Sequence, residues 1–169
     1  MSRARVTKLT VVALVVLLGA VLAWTLATPA AGTQSQRSGS SLHGGGMTVI
    51  EGGTGAPAFT PVITKFGFHW NGRSGHFECL ALAPNHDAGT AGSGDFDTNV
   101  MYVTGDVTSA SVSDVSAVLR GSATVTGLGA GSDRPFTATV TPGGPGATLV
   151  LQVSGLTFAE TVTEGEISL

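Results

Sequence analysis

Apolar and polar residues alternate with a period of two along most of the chain after residue 46, which predicts β-strands rather than helices. The clearest alternation runs from Pro61 to Trp70. One face of this stretch is aromatic and is expected to point into a core. That face comprises Val62, Thr64, Phe66, Phe68 and Trp70.

Turn residues separate this strand from a series of others. Asn71-Gly72 favours a tight hairpin because both residues tolerate positive φ, and Gly75 to Ala83 returns as the partner strand. Loops are expected at 84–97 and 127–135, and a turn at Glu164-Gly165. Further short strands are predicted at Met47–Glu51, Asn99–Thr104, Val107–Val112, Ser116–Thr126, Phe136–Val140, Leu149–Val153, Leu156–Thr163 and Glu166–Leu169.

This succession predicts an all-β fold. About eight or nine short strands at close spacing, with no helix between them, are typical of a single antiparallel meander. Such a meander closes into a barrel or folds into a two-sheet sandwich. The pattern does not decide between the two.

The beginning of the chain has a different pattern, typical of an export signal. A basic stretch containing Arg3, Arg5 and Lys8 precedes an apolar run from Leu9 to Ala27, which predicts an N-terminal apolar helix. Small residues up to Ala31 suit signal peptidase, yet the run is also nearly long enough to span a bilayer. Residues 1–31 are therefore either a cleaved signal peptide or an uncleaved signal anchor. Both place the remainder outside the cytoplasm, as an extracellular or cell-surface domain.

The sequence thus divides into three parts. Residues 32–45 are rich in Ser, Gly and Gln without periodicity, which indicates a flexible spacer, and residues 46–169 form the all-β domain. Charged residues make up 11% of the chain, well below the roughly 25% of average proteins, and Gly reaches 25 residues, which suits short strands and tight turns. The abundance of Ala, Gly and Val, with Arg preferred to Lys, favours a bacterial source.

The charge distribution argues against one class of partner. All 11 acidic residues lie at Glu51 or later, with only five of the basic residues after the apolar run, for a net charge of −6. Nucleic-acid binding needs a basic face, so we exclude it. An anionic membrane surface is disfavoured for the same reason, which leaves membrane contact only through an uncleaved N-terminal segment. No cofactor and no specific partner is predicted.

Cys79 is the only cysteine, so the chain can form no intrachain disulfide. It is expected to be a small buried side chain.

Histidines and a carboxylate around the first hairpin form a candidate metal site. His69, His76 and Glu78, with His86 in the following loop, are residue types that bind Zn²⁺. Alternation places His69 and His76 opposite the aromatic face, on the outside of the sheet. A solvated surface cluster is the commoner interpretation of such a group.

A second candidate metal site is the D-x-D-x-N pattern of Asp95, Asp97 and Asn99, whose oxygens suit Ca²⁺. However, Val100 takes the sixth position, where an EF-hand loop needs Gly, and Asp106 takes the twelfth in place of Glu. A polar loop that leads into a strand is the simpler interpretation.

Other residue groups offer weaker indications of catalysis or binding. Glu160, Glu164 and Glu166 are interpreted as solubilising charge that protects a strand edge, rather than as paired catalytic carboxylates. No G-x-S-x-G motif is present, and no catalytic residue is predicted. Aromatic residues could form a sugar-binding surface, but alternation assigns most of them to the core; they are Phe66, Phe68, Trp70 and Tyr102.

Glycines and aromatic residues occur in an order that resembles a known family. The segments concerned are Gly44-Gly45-Gly46, Phe66-Gly67-Phe68, Val103 to Thr108, Phe136 to Val140 and Gly144-Pro145-Gly146. From about Gly44 to Leu169 the chain resembles the post-COAP type of extracellular β module found in secreted bacterial proteins. The resemblance implies a fold and no established enzyme activity. Ala147 and Thr148 stand where the family leads us to expect an Asp.

Three functions remain open. The first is a secreted or surface-tethered module with a non-catalytic binding or structural role. The second is a small extracytoplasmic metal-dependent or ligand-binding protein that uses the His69, His76 and Glu78 region. The third is a barrel whose interior binds a small apolar molecule, which a core filled by Phe66, Phe68, Phe77 and Leu119 would exclude.

Overall fold

The computed structural model describes residues 41–56, 62–85 and 95–169. The predicted N-terminal helix and export signal at 1–31, most of the spacer and His86 lie outside these residues. Within the described ranges, no helix is both long enough and apolar enough to cross a membrane.

Eight strands form one closed antiparallel barrel, each strand paired with its neighbours in chain order. The barrel closes because β1 pairs with β2 on one side and with β8 on the other. This confirms the all-β meander and decides for a barrel over a sandwich. The strands are β1 (Leu42–Gly52), β2 (Ile63–Trp70), β3 (Gly75–Pro84), β4 (Phe96–Val112), β5 (Ala117–Gly127), β6 (Gly131–Val140), β7 (Thr148–Val153) and β8 (Leu156–Ser168).

Two of these strands are longer than the sequence predicts, because a glycine inside each was interpreted as a break. β4 runs unbroken through Gly105, which pairs with Phe77 on one side and Ala123 on the other. β8 runs through Gly165, which has a φ of 101° and pairs with Gly46 of β1; the register with β1 shifts just before it, between Val162 and Glu164. The predicted turn at Glu164-Gly165 is therefore wrong.

The ends of two other strands also differ from the predicted boundaries. β1 begins at Leu42, inside the segment assigned to the spacer, and Leu42 is buried in the core. β6 begins at Gly131, so the connection from β5 comprises only residues 128–130 rather than the whole of 127–135. Pro135 lies within β6, exposed, as expected for a proline tolerated in a strand.

The two ends of the barrel differ, and we name them by what they contain. At the closed end lie the short turns between β2 and β3, β4 and β5, and β6 and β7. At the cavity end lie the connections from β1 to β2, β3 to β4, β5 to β6, and β7 to β8.

Aromatic side chains fill the interior towards the closed end. The rings of Phe77 on β3 and Phe136 on β6 stack with centroids 5.2 Å apart. Between them β4 and β5 present small residues, Gly105 and Gly121, which leave room for the rings. Phe66, Phe68 and Leu119 are also buried. The four residues whose packing was expected to exclude an interior site are thus all buried, but they lie towards this end of the barrel and leave the other end to different side chains.

Candidate functional site

The residues that the structure describes do not fill the interior towards the cavity end. A cavity of about 600 Å³ opens there, within the range of pockets that hold small organic molecules. Its walls are apolar and come from strands around the barrel. The side chains that shape it include Ile50, Val62, Ala81, Met101, Leu128 and Phe158.

Small side chains account for the space. Ala81 and Ala83 on β3 stand at interior positions of the cavity end, where the closed end has Phe77 on the same strand. Gly55 lies so close to the ring of Phe158 that a side chain at this position would collide with the ring. Thr98 is the one polar side chain among the described residues of the lining. The cavity therefore suits an apolar molecule.

A polar cluster lies one layer of side chains deeper in the barrel, and we call it the Glu160 cluster: Glu160, Thr48 and Thr64. These are the buried polar or charged residues of the described chain; Glu160 is 3% exposed and the two threonines are fully buried. The Thr48 hydroxyl donates a hydrogen bond to Oε2 of Glu160, across the β1–β8 junction. Thr64 is the direct cross-strand partner of Thr48 on β2.

The strand register places this cluster next to residues that line the cavity. Glu160 is the cross-strand partner of Ile50, which lines the cavity, and it follows Phe158 on the same face of β8. Thr64 is the partner of Ala81 and follows Val62, both of which line the cavity. The polar groups are thus the layer immediately beneath the apolar walls.

Burial changes the chemistry of the carboxyl group. It raises the pKa of Glu160 to about 7, while the Thr48 and Thr64 hydroxyls act in the opposite direction. Within the described residues the Thr64 hydroxyl nevertheless has no partner in hydrogen-bond geometry. Glu160, Thr48 and Thr64 are not among the described residues that line the cavity, so the cluster is enclosed by the barrel interior.

Cys79 lies in the same part of the interior. It is a free, buried cysteine, which confirms the prediction made from its sequence context. Burial raises the pKa of its thiol well above the ordinary value, and the negative charge of Glu160 raises it further. Cys79 is thus a protonated, uncharged side chain that packs beside the Glu160 cluster.

The candidate zinc residues lie on the outside of the barrel. His69 and His76 are direct cross-strand partners, and His43 on β1 pairs with His69, so that three imidazoles follow one another across β1, β2 and β3. His76 lies 3.8 Å from Asp106 through Nδ1 and contacts the Thr104 hydroxyl through Nε2 at 3.2 Å.

Glu78 is separate from this row of imidazoles. It is exposed and accepts a hydrogen bond from the Tyr102 hydroxyl. No group of three His, Cys, Asp or Glu residues in the described chain has the arrangement of a metal site. The sequence did not indicate His43, because it lies in the segment assigned to the spacer.

The candidate calcium residues lie at the start of β4 and are all exposed. The carboxylate of Asp97 is already engaged, since it accepts hydrogen bonds from the Asn85 amide and the Thr98 hydroxyl. The Asp95 carbonyl accepts from the backbone of Asn85. These contacts join the beginning of β4 to Asn85, the residue that follows β3.

The remaining sequence candidates separate into interior and exterior groups. Phe66, Phe68 and Trp70 are buried, whereas Tyr102 lies on the outer face, so the four aromatics do not form one sugar-binding surface. Glu164 and Glu166 are exposed, whereas Glu160 is buried. The interpretation of Glu160 as solubilising edge charge is therefore wrong, because β8 is paired along its length with β1 and is no edge.

Comparison with known proteins adds no relative. No protein-family model matches the chain, and neither the curated proteins nor the solved structures contain a significant match.

Proposed function

We propose that this protein is an extracytoplasmic binding module that holds a small apolar molecule in the cavity end of its barrel and catalyses no reaction. The observation that carries the proposal is the cavity of about 600 Å³ with apolar walls. Transfer of an apolar molecule from water to such walls is favourable in proportion to the area removed from water. Export rests on the basic and apolar pattern of residues 1–31.

The difference between the two barrel ends supports binding over a purely structural role. Packing large aromatic rings throughout would stabilise the barrel further, since unfilled interior volume lowers stability. β3 instead presents Phe77 towards the closed end and Ala81 and Ala83 towards the cavity. The cavity therefore costs stability, as is usual for a functional site.

A fluorescence titration tests the proposal. N-phenyl-1-naphthylamine, an uncharged apolar dye, should bind the purified protein with saturable enhancement of its emission. Ala83→Phe should weaken this binding at least about tenfold, because the new ring occupies the cavity. Ala110→Phe is the matched control, since Ala110 is also a partly buried alanine packed against the core but does not line the cavity.

A second pair of variants tests the cavity mouth. Leu128 and Val115 are the exposed large hydrophobic residues of the described chain, and only Leu128 lines the cavity. Leu128→Asp should weaken dye binding, whereas Val115→Asp, at the closed end, should leave it unchanged. Equal effects of the two changes, or dye binding that Ala83→Phe does not alter, would count against the proposal.

The row of imidazoles on the outer face favours one alternative, a metal-dependent protein that uses the His69, His76 and Glu78 region. Cross-strand partners lie close enough for two histidines to share a metal ion after side-chain rotation. Calorimetric titration with Zn²⁺ distinguishes the two functions. Binding that His69→Ala abolishes, without any effect on dye affinity, would support the alternative; absence of measurable heat would exclude it.

A further inference from the structure

A carboxylate lies at the mouth of the cavity, and the inference drawn from it rests on the proposed function. Oδ1 of Asp97 lies 3.5 Å from the hydroxyl oxygen of Thr98, the polar side chain of the described lining. Both residues are exposed, so this carboxylate lies where the cavity meets solvent. An apolar chain held in the cavity can therefore reach water beside a negative charge.

The end of the neighbouring strand holds Asp97 in place. Oδ2 of its carboxylate accepts a hydrogen bond from the Asn85 side-chain amide at 3.3 Å, and Asn85 directly follows Pro84 of the cavity lining. The Asn85 backbone N–H donates in turn to the Asp95 carbonyl oxygen at 2.8 Å. A carboxylate can accept about four hydrogen bonds, so Asp97 retains capacity for a donor from a ligand.

The ionisable side chains next to the lining favour a positively charged ligand. Among the described residues within two sequence positions of a lining residue, Glu51, Asp97 and Glu160 are acidic, and none is Lys, Arg or His. Of these three, Asp97 is the one that is both exposed and hydrogen-bonded to a lining residue. It is therefore the group that meets the end of a bound molecule.

We propose that the cavity binds an amphiphilic amine, with its apolar chain between the cavity walls and its ammonium group at the mouth beside Asp97 and Thr98. The ammonium N–H groups donate to the Asp97 carboxylate and to the Thr98 hydroxyl oxygen. Because both residues are exposed, the ammonium group keeps part of its hydration and avoids the large cost of a buried charge. The cavity supplies affinity for the chain, and Asp97 selects the charge of the head group.

Other head groups fit this mouth less well. A carboxylate head group would approach the like charge of Asp97 and be repelled. An uncharged hydroxyl would bond to Thr98 without the added strength of a charged donor. Arg134 on β6 is held at the β5–β6 connection, where its guanidinium donates to the Ala130 carbonyl oxygen at 3.0 Å.

Competition against N-phenyl-1-naphthylamine compares the head groups directly. The competitors are decylamine, which is protonated at neutral pH, decan-1-ol and decanoate, all of equal carbon number. At low ionic strength we expect decylamine to bind about threefold more tightly than decan-1-ol and about tenfold more tightly than decanoate. Addition of about 0.5 M NaCl should bring the affinities of the amine and the carboxylate closer together, because salt screens exposed charges.

Two isosteric substitutions then assign the preference to the mouth. Asp97→Asn removes the charge, retains an acceptor for Asn85 and should reduce the ratio of decylamine affinity to decanoate affinity about fivefold. Asp106→Asn is the matched control, because it removes an exposed carboxylate from the same strand towards the closed end and should leave this ratio unchanged. The ratio cancels any change in the cavity that both competitors share, and circular dichroism verifies that each variant is folded.

The outcomes separate this inference from the proposed function. Equal affinity of decylamine and decanoate in the wild-type protein, or tighter binding of decanoate, would overturn the inference and leave an apolar cavity intact. Equal effects of Asp97→Asn and Asp106→Asn would also overturn it, since the preference would then reflect the net charge of the domain. If neither the dye nor any competitor binds, the proposed function fails and the inference fails with it.

Discussion

The Thr48 hydroxyl donates a hydrogen bond to Glu160 across the junction that closes the barrel, whereas Thr64, the strand partner of Thr48, has a hydroxyl without such a partner. Both threonines are fully buried and both point into the same interior layer. The two threonines lie on neighbouring strands but differ in energy, because burial of the Thr48 hydroxyl is compensated by a hydrogen bond and burial of the Thr64 hydroxyl is not. This contrast can be measured.

Replacement of each threonine by valine should have opposite effects on stability. Thr48→Val removes a buried hydrogen bond to a carboxyl group and should lower the free energy of unfolding by about 1–2 kcal/mol. Thr64→Val removes an unsatisfied hydroxyl and should leave the free energy unchanged or raise it by up to about 1 kcal/mol. Urea unfolding of both variants at the same pH makes the comparison. Equal losses would mean that the Thr64 hydroxyl is satisfied in the folded protein.

Glu160 should make the stability of the barrel depend on pH. Its pKa is raised from an ordinary value of 4.5 to about 7 in the folded state, so the folded protein holds this proton more tightly than the unfolded chain. The contribution to stability is fully present below pH 4.5 and is lost as the pH rises through 7. We expect a loss of about 3 kcal/mol from this one group.

Glu160→Gln should remove this pH dependence, because an amide does not titrate. The control is Glu164→Gln on the same strand, where the side chain is exposed. Denaturant midpoints of the three proteins across this pH range give the test. A slope that persists in Glu160→Gln would assign the pH dependence to another group.

The sequence predicted which faces of the strands point inwards, but not the ionisable group among them. Alternation correctly assigned Phe66, Phe68 and Trp70 to the core, because period two is imposed by the backbone itself. It also contained the signal for Glu160, which stands in phase with Phe158 and Val162. We nevertheless assigned Glu160 to the surface, because glutamate is rarely buried.

Strand length was predicted less well, because glycine has two opposite meanings in a sheet. Gly105 and Gly165 were interpreted as breaks, yet both lie within continuous strands, where the backbone of a neighbouring strand leaves no room for a Cβ. Only the pairing partners on either side distinguish these cases from a turn. The cavity likewise depends on how distant strands meet, which no local pattern records.

Gly121 should tolerate no side chain. A Cβ there would collide with the Asp106 carbonyl oxygen and with the ring of Phe136. Gly121→Ala should therefore lower the free energy of unfolding by about 2 kcal/mol through overpacking. Gly67→Ala is the matched control, since its Cβ would lie 3.4 Å from the flexible side chain of Glu78 and strand glycines are otherwise unfavourable. Thermal unfolding that showed equal losses would contradict this account of the core.

The Cys79 thiol should be unreactive in the folded protein. Burial and the neighbouring Glu160 both raise its pKa, so little of the reactive thiolate is present at pH values near neutrality. Ellman's reagent should modify Cys79 only after addition of denaturant. Thr124→Cys, which adds an exposed thiol, should react at once and provides the positive control. Immediate reaction of the native wild-type protein would place Cys79 at an accessible surface.

The central claim is that one end of the barrel is filled and the other accepts an apolar molecule. Methyl NMR spectra recorded during titration with decane test it most directly. We expect saturable shifts of the Ala81, Val100 and Met101 methyl signals, which lie at the cavity, with unchanged signals from Ala117 and Val140 at the closed end. Shifts of equal size at both ends, or none at the cavity residues, would contradict the account.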